Sequence, residues 1–77
     1  MHTVALFGSG KIGEAITALL AATGEYQVRV CDGDIARAQA VASQWPGCTA
    51  YPLNVDDRVA TEELLEGASA VLSAAGE

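Results

Sequence analysis

The segment Gly8-Ser9-Gly10-Lys11-Ile12-Gly13 constrains this chain more than any other. The residues before it, Thr3-Val4-Ala5-Leu6-Phe7, form an apolar run of the length of a buried strand. From Ile12 the period changes: Ile12, Ala15, Ile16, Leu19, Leu20 and Thr23 recur at three and four, the spacing of one helix face. The glycines therefore occupy a strand-to-helix turn, and each has its own task there. Gly8 permits the tight exit from the strand, Gly10 leaves the backbone open to close approach, and Gly13 lets the helix lie close to the strand. The N–H groups of Lys11 and Ile12 fall in the first helical turn, where they have no intrahelical partners. With the positive end of the helix dipole they form an anion site that requires no basic side chain.

The remainder of the chain continues the alternation. Thr23-Gly24 ends the first helix, and Gln27-Val28-Arg29-Val30-Cys31-Asp32 reads as a second strand. Gly33 breaks that strand. Asp34 is placed to cap a helix running through Ile35, Ala38, Val41, Ala42 and Trp45. After the Pro46-Gly47 turn, Cys48 to Leu53 reads as a third strand, and Pro52 within it points to an edge position. Asp56 or Asp57 caps a third helix to about Leu65, Gly67 closes it, and Ala70-Val71-Leu72-Ser73-Ala74 is a fourth strand. Apolar strands joined by helices imply parallel pairing through right-handed crossovers. The expected fold is α/β, a parallel sheet of about four strands in the order 3-2-1-4 with helices on both faces. Two helices then share one face. The third lies alone on the other and leaves much of it uncovered, an expected surface for self-association.

Composition narrows the function. The chain has 77 residues, 51% apolar and 18% charged, enough apolar surface for a folded core and too few residues for more than one domain. Its net charge is −6, and its basic residues Lys11, Arg29, Arg37 and Arg58 are scattered singly, which argues against nucleic-acid binding. Cys31 and Cys48 form no metal-ligand cluster, and parallel strands place them at opposite sheet edges, out of disulfide range. Free thiols and the absence of a basic region before the first apolar run fit a cytoplasmic protein without a secretory signal. The longest apolar helical stretch, Ile12 to Ala22, contains Glu14 and is too short to span a bilayer.

The chemistry lies at the strand ends. The glycine pattern follows a strand and opens a helix, the context in which it signals dinucleotide binding. A phosphate-binding loop of the G-x-x-x-x-G-K-[ST] type does not fit, because Gly13 is followed by Glu14. Asp32 ends the second strand, where a carboxylate accepts hydrogen bonds from the adenosine ribose. Its charge opposes a 2′-phosphate, and no Arg or Lys stands at positions 33 to 36, so NAD is expected over NADP. Arg37, one helical turn on, is the cation within reach of such a phosphate. Asn54 and Val55 follow the third strand, where adenine would lie. Ser73 and Ala74 end the fourth with small residues suited to approach by the nicotinamide end. The cofactor-binding set is thus Gly8, Gly10, Lys11, Ile12, Gly13, Asp32, Asn54, Val55, Ser73 and Ala74. His2 is alone, so no catalytic triad or Cys–His pair can be assembled.

The blocks Val4 to Gly13 and Val28 to Asp32 resemble the N-terminal nucleotide-binding part of the saccharopine dehydrogenase family, as do Leu53 to Asp57, Glu63 to Ala68 and Ala70 to Ala75. The chain departs from that pattern at Asn54, where the family often has Asp, and at Gly76, where it often has Pro. The resemblance implies a partial Rossmann fold over residues 1–77, truncated on its C-terminal side. The parent enzyme would be an NAD(P)-dependent oxidoreductase acting on an amino-acid or opine-type C–N bond. Its catalytic residues would lie downstream, so this chain alone is expected to bind dinucleotide without turnover. Two other classes share the same opening: a regulatory NAD(H)-sensing module of the potassium-transport type, and the N-terminal part of an atypical short-chain reductase or epimerase.

Overall fold

The computed structural model describes residues 2–54 and 56–73. Its elements run β1 (His2–Phe7), α1 (Lys11–Thr23), β2 (Tyr26–Asp32), α2 (Ile35–Ala42), β3 (Cys48–Pro52), α3 (Arg58–Leu65) and β4 (Ala70–Ser73). All strands pair in parallel, in the order β3-β2-β1-β4, as expected from the alternation in the sequence.

Local chemistry sets the boundaries. Gly24 takes the left-handed conformation (φ 71°) that closes α1, and its N–H donates to the Ala21 carbonyl. Asp34 caps α2 by accepting from the Arg37 N–H, and Asp57, rather than Asp56, caps α3 by accepting from the Ala60 N–H. Helix α2 stops at Ala42, short of the expected Trp45. Gln44 and Trp45 instead turn back onto the Val41 and Ala42 carbonyls. Pro46 explains the early stop, because a proline disfavours helical geometry in the residue before it. Strand β3 ends at Pro52, one residue short of the expectation, although the Leu53 N–H still reaches the Asp32 carbonyl at 3.0 Å. As an outer strand, β3 tolerates Pro52. The end of β4 expected at Ala74 lies outside the described residues.

The main core lies between the sheet and the α1–α2 layer. Leu6, Val28 and Val30 meet Ala38, Val41 and Ala42 there, and Ile16, Leu20 and Trp45 pack around them. The buried stripe of α1 only partly follows its apolar stripe. Gly13 and Thr17 are buried, whereas Leu19 is 72% exposed and Ile12 46%. The small residues face the sheet and bring the helix near it. Side chains alternate across the sheet, so Ala5, Arg29 and Cys31 face the opposite side. There the Arg29 guanidinium donates to the Leu64 and Glu66 carbonyls at 2.9 and 2.6 Å, which places the end of α3 on that side. Ala5 and Cys31 are fully buried on this face, while Gln27, Thr49 and Val71 stay exposed.

The register separates the cysteines. Cys48 is opposite Val28 and Cys31 opposite Tyr51, an offset of three positions or about 10 Å along the strands. Both thiols are free. Among the described residues, no helix is long and apolar enough to cross a membrane.

Candidate functional site

Parallel strands bring the carboxyl ends of β1, β2, β3 and β4 to one edge of the sheet. In this order β1 lies between β2 and β4, so the chain leaves it in opposite directions on its two sides. That division opens a crevice above the end of β1, the usual ligand position in an open α/β sheet. The glycine turn fills the mouth of this crevice.

Gly8 and Gly10 are glycines for different reasons. Gly8 has φ 97°, a conformation that side-chain-bearing residues rarely adopt, and its N–H is tied to the Cys31 carbonyl at 2.8 Å. Gly10 has an ordinary φ of −67°, and a Cβ added to it would meet no protein atom within 4 Å. Neither backbone strain nor packing requires a glycine there. The space a side chain would fill is open, a cradle suited to a phosphate group. The first intrahelical bond of α1 runs from the Glu14 N–H to the Gly10 carbonyl at 2.8 Å. The N–H groups of Lys11, Ile12 and Gly13 therefore have no acceptor within the helix. They precede that bond at the positive end of a 13-residue helix.

Asp32 stands at the end of β2 and is joined directly to this turn. Its Oδ2 accepts from the Ser9 N–H at 2.9 Å and from the Ser9 hydroxyl at 2.6 Å, while Oδ1 accepts from the Asp34 N–H at 2.8 Å. Partial burial is the largest influence on the carboxyl and pushes its pKa up. The Ser9 hydroxyl, the Asp34 and Ser9 N–H groups and the Arg37 charge together outweigh it and hold the pKa below its ordinary value. Asp32 is thus a fixed carboxylate. A carboxylate has about four acceptor positions, so roughly one, on Oδ1, remains for an outside donor.

A cavity of about 370 Å³ opens beside the turn, lined by Ser9, Gly10, Lys11, Glu14, Arg37, Ala40 and Val41. Two cations and one carboxylate line it, next to the Asp32 charge, so its side chains provide no strong net positive field. Attraction for an anion has to come from the backbone.

The other expected residues sit on the same edge. Asn54 follows β3, and its Oδ1 accepts from the Asp56 N–H at 3.0 Å, shaping the turn into α3. The preceding Leu53 carbonyl lies beside Gly33, 3.5 Å from where a Cβ would stand, so the β3 exit adjoins that of β2. Ser73 pairs with Phe7, immediately before Gly8, on the β4 side of the crevice. Val55 and Ala74 lie outside the described residues. The sequence reading missed Ser9 as a member of the site. The available signal was a hydroxyl residue at a variable position of the glycine motif, facing the acid that ends the next strand. Among the described residues, no group of three His, Cys, Asp or Glu side chains could hold a metal ion.

Comparison with known families bears on the same residues. The family model described as the saccharopine dehydrogenase NADP binding domain matches residues 4–77. No curated protein and no solved structure gives a significant match. The description specifies NADP, so the expected preference for NAD is not supported by the family and rests on Asp32.

Proposed function

The chain belongs to the saccharopine dehydrogenase NADP binding domain family and is a dinucleotide-binding segment of oxidoreductase type, and from that premise we propose how its own residues hold the cofactor. The pyrophosphate lies over Gly10 against the N–H groups of Lys11, Ile12 and Gly13, behind the turn that Gly8 makes. The adenosine ribose donates to Oδ1 of Asp32. Asn54 borders the adenine, while Ser73 leaves room for the nicotinamide end. When bound, the dinucleotide supplies hydride transfer. The residues of this chain bind and orient it. In an enzyme of this kind the hydride would pass between the nicotinamide and the amine-bearing carbon of an amino-acid or opine-type substrate.

The observation that carries this reading is the pairing of an open Gly10 with a fixed Asp32 across one turn. A glycine that neither strain nor packing demands, beside a carboxylate with one acceptor position unused, fits a ligand with a phosphate and a hydroxyl in that order. We further propose NAD(H) over NADP(H). Its support is the position of the Asp32 carboxylate, ionised at neutral pH and held by Ser9 and Asp34 at the end of β2, where a 2′-phosphate would lie. Arg37 is exposed and lines the same cavity as Glu14, so its charge is partly offset. Fluorescence titration with NADH and NADPH tests both statements. Tighter binding of NADH is expected. Equal affinities would remove the NAD preference, and no binding of either would remove the cofactor assignment.

A further inference from the structure

Ser9 occupies a position of the glycine motif at which any residue is allowed, yet it is only 3% exposed and both of its donors reach one atom, Oδ2 of Asp32. The hydroxyl bond is the shorter, at 2.6 Å. Two donors fill the acceptor positions of Oδ2. The third donor, the Asp34 N–H at 2.8 Å, holds Oδ1 from the β2–α2 side, whereas Ser9 acts from the β1–α1 turn. The carboxylate is gripped from both sides and cannot rotate without breaking the Ser9 hydroxyl bond. We propose that Ser9 is a positioning residue for dinucleotide choice: by filling Oδ2, it fixes the remaining acceptor position on Oδ1 toward the ribose and holds the negative charge where a 2′-phosphate would lie. The inference rests on reading Asp32 as the ribose acceptor. Ser9 acts through Asp32 and requires no contact with the cofactor.

The alternative device for the same task is Arg37, whose charge also acts on Asp32. It attracts a 2′-phosphate as well as the carboxylate, and it is exposed to solvent screening. Lys11 and Glu14 line the same cavity from α1 and oppose each other. Among the described residues, the Ser9 hydroxyl is the one side-chain donor to this carboxylate, and it adds no charge of its own.

The test is a double-mutant cycle on the full chain with Ser9→Ala, Asp32→Ala and the pair, titrating NADH and NADPH for each. Ser9→Ala is expected to weaken NADH about tenfold, because a hydrogen bond to a charged acceptor is of the strong class. NADPH changes less, so the preference narrows. In the Asp32→Ala background, Ser9→Ala should cost NADH nothing further, and Ser9→Thr, which keeps the hydroxyl, should retain the wild-type preference. Wild-type affinities in Ser9→Ala would overturn the proposal. So would an equal loss of both dinucleotides, the signature of a damaged fold, or the same loss in both backgrounds. If Asp32→Ala alone leaves NADH binding unchanged, the ribose assignment of Asp32 falls together with this inference, a result distinct from failure at Ser9.

Discussion

Two glycines of one turn, Gly8 and Gly10, give opposite expectations for the same substitution. At Gly8, alanine must adopt φ 97°, a cost of roughly 1–3 kcal/mol, and the turn that holds the Cys31 carbonyl is strained with it. For a domain of this size each kcal/mol moves the melting temperature by about 4–8 °C, so Gly8→Ala should melt several degrees lower. At Gly10, φ is −67° and the new methyl meets no protein atom. Alanine is a poorer N-cap than glycine, by up to about 1 kcal/mol. Its smaller unfolded-state entropy returns roughly 0.4–1 kcal/mol, which leaves stability nearly unchanged. The methyl does enter the space assigned to the pyrophosphate. An added carbon where no room exists costs on the order of 1–3 kcal/mol, or about fivefold to more than a hundredfold in affinity. Thermal melts read the first quantity and NADH fluorescence titration the second. A Gly10→Ala chain that melts like wild type and binds NADH equally well would refute the placement of the pyrophosphate.

Three further outcomes can be checked independently. Replacing Arg29 by Met keeps its apolar stem but removes the donors to the Leu64 and Glu66 carbonyls, and should cost about 1–2 kcal/mol in urea denaturation without altering dinucleotide affinity. Burial pushes the Cys31 thiol up to about 11, against the opposing Arg29 charge, so in the folded chain at pH 8 it should react with a disulfide reagent far more slowly than in denaturant. Cys48, half-buried, should react first; rapid labelling of both thiols would contradict the full burial of Cys31. Asp32 has a folded pKa below its unfolded value of about 3.9, so its contribution to stability is present above that value and is lost as pH falls through the lower one. Asp32→Asn should therefore flatten the fall in urea midpoint between about pH 5 and pH 2, and an unchanged slope would show that Ser9 and Asp34 do not favour the charged form.

The architecture was legible in the sequence because its signals are local and repeat at every level. A glycine past the last helical turn, an Asp before each of α2 and α3, and Pro52 in an outer strand each have one natural geometry, while parallel crossovers fix the hand of each connection and the order 3-2-1-4 follows once the fourth strand returns beside the first. What was not legible depends on contacts between distant residues. The apolar period of α1 reaches the core at Ile16 and Leu20, and Gly13 is buried as expected, but Ile12 and Leu19 of the same period are exposed and Thr17 is buried instead, because close approach to the sheet favours small residues over large ones. Trp45 fits the helical period of α2, yet Pro46 ends the helix first. The grip of Ser9 on Asp32 spans 23 positions, and that of Arg29 on the end of α3 spans 35 or more, so no window of neighbouring residues contains either pair.

The same long-range contacts explain how a chain of net charge −6 can present an anion site at all. Lys11 and Arg37 border the cavity, but Glu14 and Asp32 stand beside them, so side-chain charges nearly cancel there. Helix geometry provides what the side chains do not, since the N–H groups of Lys11, Ile12 and Gly13 precede the first bond of α1. Their direction is fixed before a ligand arrives, and they need no ordering of long flexible side chains. The carboxylate of Asp32 would repel an anion placed directly over it. Ser9 and Asp34 hold it at the end of β2, and in the proposed reading its remaining acceptor position meets a ribose hydroxyl rather than a phosphate. Attraction and repulsion are thus separated by one turn of chain. In the proposed reading, that separation is what would let a single edge of the sheet take a molecule carrying both a phosphate bridge and a neutral ribose.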